Sequence, residues 1–318
     1  MILNVVFLVI GFILLIKGAD ILVDGSASIA KRFGLSSLLI GLTIIAFGTS
    51  APELIVNIFA SVSGSSDIGM GNIVGSNISN ILLILGVAAI ICNLKVDDSI
   101  VKKQIPFSIL STIVLFVLIN NSLINGFGWN GLSRSGGFIL IFFFIIFLYY
   151  TFSLLKTDTS EGEDIKEMKT KKSIFFILGG IIALFAGGKM IVDNASSLAL
   201  AAGLSEAFVG LTIVALGTSL PELAASVVAA RKNQIQMAVG NVIGSNIFNL
   251  LWVLGLSSII RPIEYNPAMN FDIIFLTFIS ILLFGLIYTG RRLYFTKKEG
   301  YVLVFLYLVY LIFISIRG

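Results

Sequence analysis

Two short stretches interrupt long apolar runs with the same set of polar groups: Gly48-Thr49-Ser50-Ala51-Pro52-Glu53-Leu54 and Gly217-Thr218-Ser219-Leu220-Pro221-Glu222-Leu223. Matched residues lie 169 positions apart, and one residue in seven differs. A carboxylate at the centre of a membrane helix costs roughly 2.5–3.5 kcal/mol on insertion scales, so an acid in such a place points to function. Proline lacks an N–H and clashes with the preceding turn, so neither run can be one uninterrupted helix. Ser50-x-x-Glu53 and Ser219-x-x-Glu222 also read as capping boxes that would start new half-helices where the acids appear. Non-helical backbone at membrane depth is tolerated where it lines a cavity, so carbonyls near Ala46, Thr49, Ala215 and Thr218 are expected to face something other than lipid.

A second pair of motifs adds oxygen. In Gly71-Asn72-Ile73-Val74-Gly75-Ser76-Asn77-Ile78-Ser79-Asn80, residues Asn72, Ser76 and Asn80 share one helical face, as do Asn241, Ser245 and Asn249 in the copy. Gly71 and Gly75, like Gly240 and Gly244, form GxxxG patterns that favour close helix packing. Carboxylates, hydroxyls, amide oxygens and carbonyls together suit a hard cation. Calcium takes 6–8 oxygens in flexible geometry, and Glu53 and Glu222 with Asn80 or Asn249 and backbone carbonyls can supply that number. The same oxygens can be redistributed among sodium ions, which is the competition that an antiporter requires.

The elements that position these groups follow from composition. The 318 residues are 57% hydrophobic and 12% charged, with a mean hydropathy of +1.05, and several runs approach the roughly 20 residues that span a bilayer. The single cysteine, Cys92, excludes an internal disulfide, and the absence of histidine argues against zinc enzymes and Ser/His hydrolases. The first apolar run lacks a basic segment and a small-residue cleavage site, so it reads as a membrane helix. Helices are expected near 2–24, 35–62, 69–92, 104–121 and 136–155, then 173–199, 204–231, 237–260, 270–288 and 299–316. The first helix should end near Asp24, and the phenylalanines of 142–152 should face lipid with Tyr149 and Tyr150 near an interface. Residues 156–172 form a hydrophilic linker of mixed charge. Asp20, Asp24 and Asp193 sit towards helix ends, where Lys17–Asp20 and Lys189–Asp193 are spaced to pair.

Residues 34–54 match 203–223 at 14 of 21 positions, and 70–86 match 239–255 at 10 of 17. The chain therefore reads as an all-α membrane protein of ten transmembrane helices in two inverted five-helix repeats, 1–155 and 173–318, with helices two and seven broken. In such architectures the binding site lies near the midplane between repeats. With the linker placed in the cytoplasm, sixteen basic residues fall inside, three fall outside and two lie within spans. The positive-inside rule then puts both termini outside.

GTSAPE and GTSLPE, with GNIVGSN and GNVIGSN, resemble the two α-repeats of the sodium/calcium exchanger family of the calcium/cation antiporter superfamily. The resemblance implies sodium-driven calcium antiport at the cell membrane by a monomer, with no cofactor and no nucleic-acid partner. It implies that Glu53 and Glu222 bind calcium and sodium with help from the Thr49, Thr218, Ala46 and Ala215 carbonyls. Ser50, Ser76, Ser219 and Ser245 would line flanking sodium sites, three sodium ions would exchange for one calcium, and helices one and six would slide as a pair. Some relatives, including potassium-dependent ones, carry Asp at the position of Asn249, which weakens the case for potassium co-transport. Calcium/proton antiport is the alternative, since two buried glutamates could carry protons. The topology predicts that a cysteine introduced by Ser160→Cys in a Cys92→Ala background is modified only from the cytoplasmic side. Labelling by an impermeant thiol reagent applied outside would reverse the orientation.

Overall fold

The computed structural model describes residues 2–126, 128–153, 167–203, 215–288 and 292–317. Within them the chain is helical apart from four two-residue strands. The helices are α1 (Ile2–Phe33), α2 (Ser37–Thr49), α3 (Ala51–Ser63), α4 (Ser66–Ile91), α5 (Ile100–Ile119) and α6 (Arg134–Ser153). The later ones are α7 (Thr170–Ala201), α8 (Leu220–Arg231), α9 (Ile235–Ile260), α10 (Pro267–Leu286) and α11 (Lys297–Arg317). Among the described residues, eight helices are long and apolar enough to cross a membrane, and α2 with α3 makes a ninth span bent by 45°. Of the expected span 204–231, residues 204–214 lie outside the described residues, and α8 is its continuous described part. Most of the expected linker lies outside them as well.

α4 and α9 form the centre. Each is about four-fifths buried along its most apolar window, whereas α1 and α11 are only about one-fifth buried. That contrast separates the helices that carry the Asn/Ser motifs from those that present Ile, Phe and Val outward. Phe142 and Phe152 are exposed, as expected of lipid-facing positions, and so is Tyr149. Phe144 and Phe147 are not: both are buried, and Phe144 meets Phe248 of α9 edge-on at 4.8 Å and Trp252 at 5.3 Å. A phenylalanine-rich helix can turn part of its aromatic surface inward when a neighbour offers rings at edge-to-face distance.

α1 does not stop at Asp24. It continues to Phe33, with Lys31 and Arg32 in its last turn, where the helix dipole favours cations. Tertiary contact outweighs the helix-weakening Gly25-Ser26-Ala27-Ser28 segment. Ser28 Oγ accepts from Met168 N at 2.8 Å and from Ser173 Oγ at 2.9 Å, which ties the last turns of α1 to the start of α7. Along the rest of their length α1 and α7 run in opposite directions, and Gly11, Gly18 and Gly25 meet Gly187, Gly180 and Ser173 in succession. A Cβ on Gly18 would lie 2.8 Å from Leu184 N, and one on Gly187 would lie 2.7 Å from Gly11 O. Only glycine lets the two backbones approach so closely. Gly240 and Gly244 do the same for α9 against α2: a Cβ at Gly244 would stand 2.8 Å from the Leu42 carbonyl. Among the described residues a Cβ at Gly71 would meet Met269 Cε at 3.5 Å, and one at Gly75 would meet nothing within 4 Å.

The connections pair in a way that the sequence reading did not foresee. Strand β1 (Leu94–Lys95) pairs antiparallel with β4 (Tyr294–Phe295), and β2 (Gly131–Leu132) pairs with β3 (Ile263–Glu264). Each ribbon joins loops from the two halves of the chain. Two-residue strands leave no alternating pattern to read.

The interfacial acids pair differently from the expected pattern. Lys189 and Asp193 meet at 3.0 Å within α7, but Asp20 turns away from Lys17 to Lys232, whose Nζ lies 2.6 Å from both Asp20 and Asp24. Partial burial works against the Lys232 charge, yet the hydrogen bonds it donates to Asp20 and Asp24 outweigh it and hold the ammonium above its ordinary range. The carboxylate of Asp272, buried on α10, accepts from Tyr310 at 3.1 Å and pairs with Arg317 at 2.7 Å.

The α1–α7 seam gives a direct test. Gly18→Ala should lower stability by about 1–3 kcal/mol through overpacking and shift the thermal unfolding midpoint down. Gly179→Ala, whose Cβ would meet only Ile21 Cδ1 at 3.8 Å, should be neutral. Equal midpoints for the two purified variants would remove the seam as a packing constraint.

Candidate functional site

The break between α2 and α3 falls at Ser50, which has φ −82° and ψ 7°, and the corresponding Ser219 has φ −85° and ψ 0°. Both are in the sparsely populated bridge region that many active-site residues occupy. Pro52 and Pro221 follow in the first turns of α3 and α8, where their missing N–H groups have no intrahelical partner to lose. Glu53 and Glu222 sit in those same turns, where the positive end of the helix dipole favours a carboxylate.

The expected capping boxes do not form. Neither Ser50 nor Ser219 makes a side-chain bond to its own helix. Ser50 Oγ instead crosses to the other motif and donates to Glu222 Oε1 at 3.0 Å. Ser219 Oγ donates to Ser76 Oγ at 3.2 Å, and Ser76 Oγ lies 3.2 Å from Glu53 Oε1 as its donor. A cap would use the serine oxygen as an acceptor, whereas a buried carboxylate calls for a donor, and the charge-assisted bond to Glu222 is the stronger use of the Ser50 hydroxyl.

The threonines cross as well. Thr49 Oγ1 donates to Asn241 Oδ1 and Thr218 Oγ1 donates to Asn72 Oδ1, each at 3.1 Å. Thr49 also approaches Ser245 at 3.5 Å, and Thr218 approaches Ser76 at 3.5 Å. Asn241 Nδ2 in turn donates to Ser226 Oγ at 2.9 Å and to the Glu222 carbonyl at 3.4 Å. The two motif pairs are therefore stitched hydroxyl to amide across the halves of the chain.

The Ala46 carbonyl departs from the expectation that the break frees it. It accepts the Ser50 N–H at 3.0 Å and the Thr49 hydroxyl at 3.4 Å, because α2 keeps its last turn closed up to the break. The second copy is tighter, with Ser219 N bonding the Leu216 carbonyl at 3.2 Å. Of the Ala215 side chain nothing is described.

Glu53, Glu222, Asn80 and Asn249 are all essentially inaccessible, at 0–1% exposure. Glu53 Oε2, Glu222 Oε2, Asn80 Oδ1 and Asn249 Oδ1 are buried and have no hydrogen-bond partner among the described residues. Four acceptor oxygens, two of them carrying formal charge, come from α3, α8, α4 and α9 at equivalent positions of the two motifs. An unsatisfied buried polar atom is costly, and a matched set of them on acids and amides fits a hard cation bound as cargo. Asn80 opens a π-helical turn, Asn80–Ile84, and Asn249 lies in its counterpart, Phe248–Val253. Such turns widen a helix locally and occur frequently at functional sites.

Two residues were missed in the sequence reading. Asn77 and Asn246 are fully buried at the junction of α4 and α9, where they bond to Asn249 and Asn80. They stand one position off the Asn72–Ser76–Asn80 face, so helical periodicity passed over them. The repetition of GSN in both motifs was the available signal.

The family profile described as sodium/calcium exchanger protein matches residues 3–153 and 172–316. The chain is 36% identical to the inner membrane protein YrbG of Escherichia coli over 89% of its length and 88% of that protein's. It is 32% identical to the sodium/calcium exchanger MaX1 of Methanosarcina acetivorans, with 97% of each chain covered. Its structure superposes on that of the sodium-calcium exchanger NCX_Mj, soaked with 10 mM Na+ and no Ca2+, with a TM-score of 0.83, 34% identity and 97% of both chains covered. A family profile matched over both halves of the chain and a shared fold over nearly its whole length make this protein a member of the sodium/calcium exchanger family, a membrane transporter and not an enzyme.

Proposed function

We propose that the protein is a sodium-driven calcium antiporter of the cell membrane that works as a monomer. It crosses the bilayer ten times as two inverted five-helix repeats, with both termini outside and the second and seventh spans broken. The observation that carries the reading is the matched set of buried, unpartnered oxygens on Glu53, Glu222, Asn80 and Asn249. Calcium, with its preference for six to eight oxygens and tolerance of irregular geometry, would take both carboxylates. Sodium ions would divide the same carboxylates with the Ser50, Ser76, Ser219 and Ser245 hydroxyls and the Thr49, Thr218 and Ala215 carbonyls. Because the two cargoes compete for one set of oxygens, the carrier reorients with one or the other and exchange is coupled. α1 and α7, held together by their glycine seam, move as one body past the central helices to alternate access.

Calcium flux into proteoliposomes under separately imposed sodium, potassium and proton gradients tests this directly. Outward sodium gradients should drive uptake, and uptake driven by protons alone would replace sodium as the coupling ion. Glu53→Gln and Glu222→Gln should each reduce sodium-driven uptake by at least about tenfold, since a bond to a charged group is worth about 1.5–3 kcal/mol. Normal flux in either variant at wild-type protein levels would remove that residue from the site.

Charge supplies an independent check. Two carboxylates neutralise one calcium, whereas three sodium ions leave the loaded site at about +1. A potential acts with roughly 2.3 kcal/mol per elementary charge per 100 mV, so a negative interior should speed sodium entry and calcium exit. Exchange rates in tight vesicles clamped at different potentials with potassium and valinomycin should change in that sense, and a flat response would mean electroneutral exchange.

A further inference from the structure

The side-chain amide of Asn80 or Asn249 can offer a cation its oxygen or its NH2, and only the oxygen attracts it. What decides between them lies one bond further out. Asn77 Nδ2 donates to the backbone carbonyl of Asn246 at 3.1 Å, and Asn246 Nδ2 donates to the carbonyl of Asn77 at 3.3 Å. A main-chain carbonyl can only accept, so the nitrogen end of each amide is fixed there and its oxygen end faces away. Those oxygens are taken in turn: Asn249 Nδ2 donates to Asn77 Oδ1 at 3.0 Å, and Asn80 Nδ2 donates to Asn246 Oδ1 at 2.9 Å. With their NH2 groups engaged, Asn80 and Asn249 leave their own Oδ1 atoms among the buried oxygens without a partner. Turning either amide over would set two acceptors about 3 Å apart with no proton between them.

We propose that Asn77 and Asn246 are positioning residues that hold Asn249 and Asn80, respectively, with the carbonyl oxygen towards the transported cation. The inference rests on the exchanger reading of the same site. The polarity originates in two backbone carbonyls and passes through two amides to two ligand oxygens, and the wiring is crossed. Asn77, in the first motif, sets the ligand of the second, and Asn246 sets the ligand of the first. Asn77 and Asn246 touch no cargo themselves. Their effect is to make the site selective for groups that seek oxygen.

Crossed wiring makes the test specific. Calcium-uptake KM and maximal rate are measured in proteoliposomes for the full chain carrying Asn77→Ala, Asn80→Ala, Asn249→Ala and the two doubles that contain Asn77→Ala. Asn77→Ala should raise the calcium KM roughly three- to tenfold, the worth of one hydrogen bond expressed as affinity, with a smaller change in maximal rate. Added to Asn249→Ala it should raise KM no further, and added to Asn80→Ala its full effect should return. A merely structural asparagine would give the same increment in both backgrounds, and that result, or a change in rate alone, overturns the proposal. Should Asn77→Ala not reach the membrane, Asn246→Ala supplies the mirror cycle, with Asn80→Ala as the coupled partner and Asn249→Ala as the independent one. Asn77→Ser and Asn246→Ser, which are too short to reach the ligand amides, carry the same cycles if neither alanine variant inserts. The KM is read for calcium whichever ion drives uptake, so a wild-type protein driven by protons overturns the sodium reading while the cycle remains decisive.

Discussion

Two fully buried carboxylates, Glu53 and Glu222, are the constraint on which the rest of the structure depends. Ionised acids out of water cost several kcal/mol each unless they are paired and hydrogen-bonded. Among the described residues no lysine or arginine pairs with Glu53 or Glu222, and their Oε1 atoms accept hydroxyl bonds from Ser76 and Ser50. In the proposed function the other oxygen of each takes a mobile positive charge. A fixed lysine or arginine there would satisfy the acids permanently. On that proposal the cargo supplies the neutralisation, which ties the favourable state of the protein to its being loaded.

The 45° bend between α2 and α3 serves the same need. A continuous helix would bury its carbonyls and hydroxyls in its own ladder, whereas the bend at Ser50 turns the Ser50 and Thr49 hydroxyls across to Glu222 and Asn241. Giving up a helix cap typically costs ~0.5–2 kcal/mol. Bonds to charged acceptors offset it at about 1.5–3 kcal/mol. The exchange of donors between the two motifs also means that neither half of the site is complete alone. Glu222 depends on a serine of the first half, and Glu53 depends on Ser76, which the second half's Ser219 approaches as a donor.

The two halves agree closely at the ligands and diverge towards the periphery. Asp24 and Asp193 occupy equivalent positions in sequence, yet Asp24 reaches across to Lys232 while Asp193 stays within α7 with Lys189. Burial explains the difference in tolerance. At the buried centre a donor that is lost cannot be replaced by solvent, so each hydroxyl and amide bond is held in both copies. At the half-exposed helix ends water can replace any lost partner, so pairing there drifts between copies.

The sequence by itself determined the membrane class, the duplication, the residues that carry charge into the apolar core and, through them, the family. Those features are written in composition, in a fixed 169-residue offset and in residue types too costly to bury without a purpose. It also set Thr49, Ser50, Thr218 and Ser219 beside the acids, because they lie in the same short motifs, whereas Ser76 and Ser245 were expected there from the family resemblance. What tertiary structure alone decided is where each donor points. Local rules assigned Ser50 to its own helix as a cap, ended α1 at Asp24, paired Asp20 with Lys17 and turned Phe144 and Phe147 to lipid. In every case a distant partner won: Glu222 for Ser50, the α7 backbone for α1, Lys232 for Asp20, and Phe248 and Trp252 for Phe144. Asn77 and Asn246 were invisible for the same reason, since their partners are backbone carbonyls on another helix and no periodicity within one helix encodes them. Interactions within a few residues are legible from spacing, whereas those between elements depend on the approach of two backbones, which glycine permits and the sequence does not specify.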